Sequence, residues 1–264
     1  MIVNGDWEKW LIKAVTQKIM IRKNKIIFSA ALIQSCFILM AFFSQDIYAA
    51  LIVNRSIITY DNPSVNREDV VIINSDQQAN LYIQVDPFKV VNAGQESQEL
   101  LALDITDSPE FLVTPNRLVI APGGRSLVRF LNLLPPAEEE RIYRVNLTPI
   151  TPPAEYATGN AEEIRSRLEV VVAYQILVII LPEVPNPVMG MNRDGMLVSF
   201  TNTGNSNYLL TDGQQCDPEN LVVCQPLEDR RVYSGNTWQL TLPYDGPFTY
   251  TVRTQTGLTS EYFQ

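Results

Sequence analysis

The chain contains no histidine, which removes Ser-His and Cys-His nucleophile pairs and histidine-centred metal sites from consideration. No G-x-S-x-G, P-loop or dinucleotide fingerprint follows a strand. The densest run of acids, Glu138-Glu139-Glu140, comes directly after Pro135-Pro136 and Ala137. It reads as a solvated acidic turn, not as paired catalytic carboxylates. These residues give no basis for an enzyme, a metal site or a cofactor. The chemistry left to the chain is association.

The strongest signal for association is the stretch Arg167-Leu168-Glu169-Val170-Val171-Val172-Ala173-Tyr174-Gln175-Ile176-Leu177-Val178-Ile179-Ile180-Leu181. In a strand, side chains alternate between faces. Leu168, Val170, Val172 and Tyr174 therefore share one face, and Glu169, Val171, Ala173 and Gln175 the other. A strand of this length exceeds the usual five or six residues. Its first half follows a polar stretch, residues 151–166, with Pro152, Pro153, Gly159 and three glutamates, expected to be a mobile solvated loop. The first half is thus free to project as an edge, although pattern alone suits a core strand equally well.

The elements that must hold this strand are short and β-rich. Val70 to Ile73, Leu81 to Val85, Arg117 to Ile120, Leu127 to Phe130 and Arg141 to Ile150 are apolar runs separated by turn residues such as Pro122-Gly123-Gly124. That spacing predicts an antiparallel sandwich. No 3.6-residue apolar stripe is long enough for a substantial helix. After Leu181 comes Pro182-Glu183-Val184-Pro185-Asn186-Pro187, a stiff connector. Beyond it, strands are expected at Met196 to Asn202, Asn207 to Thr211, Arg231 to Tyr233, Thr237 to Leu242 and Phe248 to Thr254. The predicted organisation is all-β: a first domain over 50–182, a connector over 183–187 and a smaller sandwich over 188–264.

The start of the chain reads differently. Arg22, Lys23 and Lys25 head an almost uncharged core from Ile26 to Phe43, and Ile47-Tyr48-Ala49-Ala50 offers a small-residue exit. This is the pattern of a secretory signal peptide over 20–49, cleaved after Ala49. Residues 1–19 then read as sequence upstream of the true start. The alternative is an uncleaved anchor, because about 18 apolar residues is the lower edge of a membrane span. A lipoprotein site at Cys36 is disfavoured by Gln34.

An exported chain cut after Ala49 holds 14 basic against 26 acidic residues. Such a surface repels phosphate backbones, so nucleic acid is not an expected partner. Its two remaining cysteines, Cys216 and Cys224, are an even count with a short loop between them, and a local disulfide is expected.

Three blocks in order resemble the periplasmic chaperones of chaperone/usher pilus assembly. They are Asn116 to Phe130 (NRLVIAPGGRSLVRF), Glu140 to Leu147 (ERIYRVNL) and the long strand ending in Leu181-Pro182. The likeness extends over roughly Ala50 to Gln264. Ile142-Tyr143-Arg144-Val145, Leu210 to Cys216 and Tyr233 to Trp238 are most similar to the alternate branch of that family.

The resemblance implies a periplasmic protein made of two immunoglobulin-like domains at an angle, preceded by a signal peptide. Its partners would be pilin subunits and an outer-membrane usher; the residues leave open whether the free protein caps its own edge as a homodimer. The last strand of the first domain would complete a pilin lacking its own final strand. Counting back from Pro182 puts the donor positions at Leu168, Val170 and Val172, with Tyr174 next, the face already selected by alternation. Such β-augmentation combines backbone pairing with groove burial. At about 1.5–3 kcal/mol per aliphatic side chain, four positions offer on the order of 6–12 kcal/mol before ordering costs.

The family anchors the pilin carboxylate with basic residues in the cleft, and here the sequence departs. The lysine position maps to Leu177, the arginine before Pro182 to Leu181, and the first-strand arginine near Ile57. Arg55, expected two residues earlier on the same strand face, and Arg144 in the neighbouring strand are the substitute candidates, unless both simply pair with nearby acids. A structural pilus subunit or surface adhesin is the rival reading. A carbohydrate-binding or enzymatic accessory domain would need an aromatic platform or paired carboxylates, for which Trp238 and Tyr244 are insufficient.

Overall fold

The computed structural model describes residues 51–62, 64–103, 109–150 and 172–264. The expected signal segment and residues 1–19, the loop 151–166, and donor positions Leu168 and Val170 lie outside the described residues.

Every regular element described is a strand, as the alternating runs demand. The first lobe is a two-sheet sandwich. One sheet orders β1 (Leu51–Val53), β3 (Arg67–Asn74), β8 (Arg125–Asn132) and β6 (Phe111–Thr114). The other orders β2 (Ile57–Tyr60), β10 (Tyr174–Ile180), β9 (Arg141–Pro149), β4 (Leu81–Val91) and β5 (Glu99–Ala102), with β7 (Arg117–Ile120) pairing β4.

Period-two burial explains the packing. Val70 and Ile72 from β3, Val128 and Phe130 from β8, and Val145 and Leu147 from β9 fill the space between the sheets. Phe111 stacks on Tyr143 at 4.5 Å, and burial pushes the Tyr143 hydroxyl up to about 12. One polar residue is buried at the lobe's end. The Asn74 amide donates to the carbonyls of Ala79, Ile120 and Ala121, tying the turn after β3 to the turn after β7. That second turn carries Gly123 at φ +63°, where a side chain would be strained.

The chain crosses between the two sheets in its first ten described residues. β1 pairs antiparallel with β3, whereas β2 pairs parallel with β10. The crossover at residues 54–56 sets where β2 begins to cover β10.

The second lobe is a smaller sandwich. β11 (Met189–Asp194), β12 (Leu197–Asn202) and β16 (Thr237–Thr241) face β14 (Asn220–Pro226), β13 (Tyr208–Asp217), β17 (Phe248–Thr254) and β18 (Gly257–Phe263), with β15 (Arg230–Val232) on β13. Phe200 is its aromatic centre, edge-on to Tyr250, Phe248 and Phe263 and stacked on Trp238. Cys216 and Cys224 are directly opposed on β13 and β14 and joined by a disulfide.

Candidate functional site

The two lobes meet on the outer face of the β2–β10–β9–β4 sheet. Val90, Ile142, Ile179 and Leu181 pack with Tyr233 of the second lobe. Beside them the Glu140 carboxylate accepts hydrogen bonds from the backbone N–H groups of Asn207 and Ser234, both 3.0 Å, and from the Asn207 amide. Burial raises the Glu140 pKa against the pull of these donors and of Arg231.

The acidic run therefore divides. Glu138 and Glu139 are exposed, but Glu140 is not the solvated side chain the sequence predicted. It stands one residue before β9, at the place where the second lobe's loops close over the sheet. A cavity of about 280 Å³ opens alongside, lined in part by Lys89, Arg141 and Asn236.

Above this contact lies the face that the sequence singled out. β10 pairs with β9 from Tyr174↔Leu147 to Ile180↔Arg141, but with β2 only from Leu177↔Ile57 to Ile180↔Tyr60. The Leu177 N–H donates to Ser56 O at 2.9 Å, where that coverage begins. From Tyr174 to Ile176, the β2-side edge of β10 has no neighbour among the described residues.

The strand is shorter than the Arg167 to Leu181 span expected for it. β10 begins at Tyr174, and Val172 and Ala173 precede it without strand pairing. The register has a physical reason to stop there. Continuing the ladder would bring Val172 opposite Pro149, and proline has no N–H to extend the pairing.

Val172 is 40% exposed, and Tyr174 is half-buried against the first lobe's core cluster. Tyr174 shares its face with Ile176, Val178 and Ile180, which are buried in that core. At Tyr174 the face singled out in the sequence thus continues the interior face of the sandwich.

The candidate anchors have separate surroundings. Arg144, Leu177 and Ile57 are directly opposed on β9, β10 and β2, so they form one row across the sheet. Arg144 donates to the Gln175 side-chain carbonyl, and Gln175 in turn donates to Asn146 at 2.8 Å. The buried Arg144 Nε finds no hydrogen-bond partner among the described residues. Ile57, at 48% exposure, leaves an apolar step beside it.

Arg55 is not on the strand with Ile57, as the sequence had suggested. It lies in the crossover between β1 and β2, where its guanidinium pairs with Glu68 at 2.5 Å and donates to Asp69 O at 2.7 Å. Within the same patch, hydrogen bonds from Arg129 and then Arg67 hold the Asp69 carboxyl far below the usual carboxylate range. The structure does not bring Arg55 into the Arg144 row.

Gln175 and Asn146 were missed in the sequence because isolated amides carry no pattern. Only the register that sets them beside Arg144 gives them a role. Among the described residues no group of three or more Cys, Asp or Glu is placed to hold a metal ion.

The family model described as pili and flagellar-assembly chaperone, PapD N-terminal domain, matches residues 50–185. No curated protein matches the chain by sequence. Among solved structures, a chain of the Salmonella enterica SafA pilin in complex with the SafB chaperone aligns with a TM-score of 0.59 at 13% identity, covering 83% of this chain and 98% of that one. The E. coli chaperone DraB aligns at 0.54 and 18% identity, covering 81% and 97% respectively. A chain of the CsuC-CsuE chaperone-tip adhesion subunit pre-assembly complex of Acinetobacter baumannii aligns at 0.52 and 12%, again covering 81% and 97%. At these identities the likeness establishes the fold, two immunoglobulin-like sandwiches in one chain.

Proposed function

Because this chain belongs to the pili and flagellar-assembly chaperone family, we propose that it acts in the periplasm by lending the open edge of β10 to pilin subunits that lack a strand. It then passes them to an outer-membrane usher. The observation that carries the reading is the half-covered strand: among the described residues β10 is paired on both sides from Leu177 onward and on one side only from Tyr174 to Ile176.

The open edge at Tyr174, with the exposed Val172 just before it, supplies what a strandless sandwich needs, backbone groups to pair and apolar side chains to fill its groove. Read by sequence alternation, Leu168 and Val170 would belong to the same face. The subunit's folding is driven by that burial, so no nucleotide is required.

Arg144 is the proposed anchor for the subunit's terminal carboxylate. A strand laid along the open edge towards β2 ends beside the Arg144, Leu177 and Ile57 row, where the half-buried Arg144 guanidinium supplies the positive charge. Arg55 is the weaker candidate, since Glu68 already neutralises it. The signal segment over 20–49 would direct export, and the sandwiches over 50–182 and 188–264 would act as the two arms of the chaperone.

The test is Leu168→Asp with Val172→Asp, produced together with the products of the neighbouring genes. An unpaired carboxylate pressed into an apolar groove costs several kcal/mol. The expected outcome is a folded protein that no longer co-purifies with subunit. Undiminished co-purification refutes strand donation, and recovery of the mature protein in sheared fibres favours a structural subunit instead.

A further inference from the structure

The second lobe presents a feature that strand donation does not use. On β13 and β14, Cys216 opposes Cys224 and Asp217 opposes Asn220, so Leu221, Val222 and Val223 have no partners on β13 and bulge outward. They are 75%, 91% and 44% exposed. Three consecutive aliphatic side chains in solvent are an unfavourable use of apolar surface unless a partner covers them.

The bulge is braced. The Cys216–Cys224 disulfide closes one end. At its base the Gln215 side chain donates to the carbonyls of Tyr244 and Gly246 at 3.0 and 2.8 Å, and Gln225 donates to the Tyr244 hydroxyl at 3.0 Å. A knob held in one shape loses little freedom when it binds.

Its flanking sequence carries one sign of charge, and the cation at its base, Arg193, is paired with Asp245 and donates to the Gly246 carbonyl. Residues 212–229 include Asp212, Asp217, Glu219, Glu228 and Asp229 and no basic residue. Among the described residues neither Asp217 nor Glu219 forms an ion pair; Asp217 accepts only the Glu219 N–H. An anionic lipid surface would repel this rim. Two copies meeting knob to knob would bring two such rims together, which like-charge repulsion opposes.

We propose that Leu221, Val222 and Val223 form a docking knob for a different protein, one that offers an apolar pocket bordered by lysine or arginine. The apolar tip supplies a desolvated centre, and Asp217 and Glu219 supply steering and orientation at the edge. The site lies on β14 and is independent of the β10 edge.

The test places the photo-crosslinking residue p-benzoylphenylalanine at Val222 of the full chain, in cells producing the whole assembly system. Val222 is almost wholly exposed, so the core is undisturbed. The expected result is one dominant adduct to a second protein, with lysine or arginine flanking the crosslinked segment. Adding Asp217→Asn and Glu219→Gln should lower adduct yield at least fivefold while subunit still co-purifies through β10. An adduct to a second copy or to lipid alone, no adduct, or a yield indifferent to the two neutralising changes overturns the proposal. A Val222 crosslinking variant with Asp217 and Glu219 native that yields the adduct but co-purifies no subunit would count against strand donation and leave the knob standing.

Discussion

If Arg144 receives a subunit's terminal carboxylate, displacing that carboxylate must matter only while Arg144 is present. Two glycines added to the subunit's end move the carboxylate by about 7 Å, well out of hydrogen-bond reach. A hydrogen bond to a charged group contributes about 1.5–3 kcal/mol. Arg144 is half-buried, with one Nη already engaged by Gln175, so the lower end of that range applies, roughly a tenfold change in affinity.

The assay is a cycle of four affinities: native chaperone and Arg144→Ala, each with native and glycine-extended subunit. Native chaperone should lose about tenfold on extension, and Arg144→Ala about tenfold with native subunit but less than twofold more on extension. Equal losses on extension for both chaperones would refute the anchor. Gln175→Ala serves as an internal control. It releases the guanidinium from its tether, so it should weaken binding a few-fold without abolishing the extension effect.

Two further outcomes follow from the lobe contact and the disulfide. Burial raises the Glu140 pKa, so the folded protein holds that proton more tightly than the unfolded chain. The resulting contribution to stability is full below the ordinary carboxyl pKa and is lost as pH rises through the raised folded value. Glu140→Gln should flatten that part of the stability profile in urea melts run from about pH 4 to pH 8, and an unchanged slope would deny the linkage. Replacing Cys216 and Cys224 together by serine opens a crosslink spanning eight positions. It should destabilise the second lobe by on the order of 2 kcal/mol, lowering its melting temperature by about 5 °C or more while leaving the first lobe's transition in place.

The fold was legible in the sequence along most strands with one buried face, although β6, with Phe111 and Val113 buried, was not read as a strand. Phe248 to Thr254 and Arg117 to Ile120 are strands with the limits that alternation gave them. β5 and β14 went unseen for the opposite reason: nearly every residue in them is exposed, so no face is marked.

The long strand was legible in its apolar run but not in its start, because nothing local to it announces that Pro149 stands on its partner. The Arg144 row was half visible. Its cation and the two aliphatic replacements could be named, but their alignment depends on a parallel pairing between segments about 120 residues apart in sequence. Arg55 was placed wrongly on a strand because the crossover between sheets has no residue signature, and Glu68 captures it there.

The crossover at residues 54–56 has a consequence for any chain that lies along the uncovered length of β10. A guest strand advancing towards Ile57 meets the host's own backbone and can go no further, so its stopping point is fixed by collision. With that end blocked, a slip of one residue would turn each guest side chain to the wrong side. If subunit strands bind along this edge, the host would act as a ruler, admitting guests by the distance between their last residue and the first side chain that must point inward.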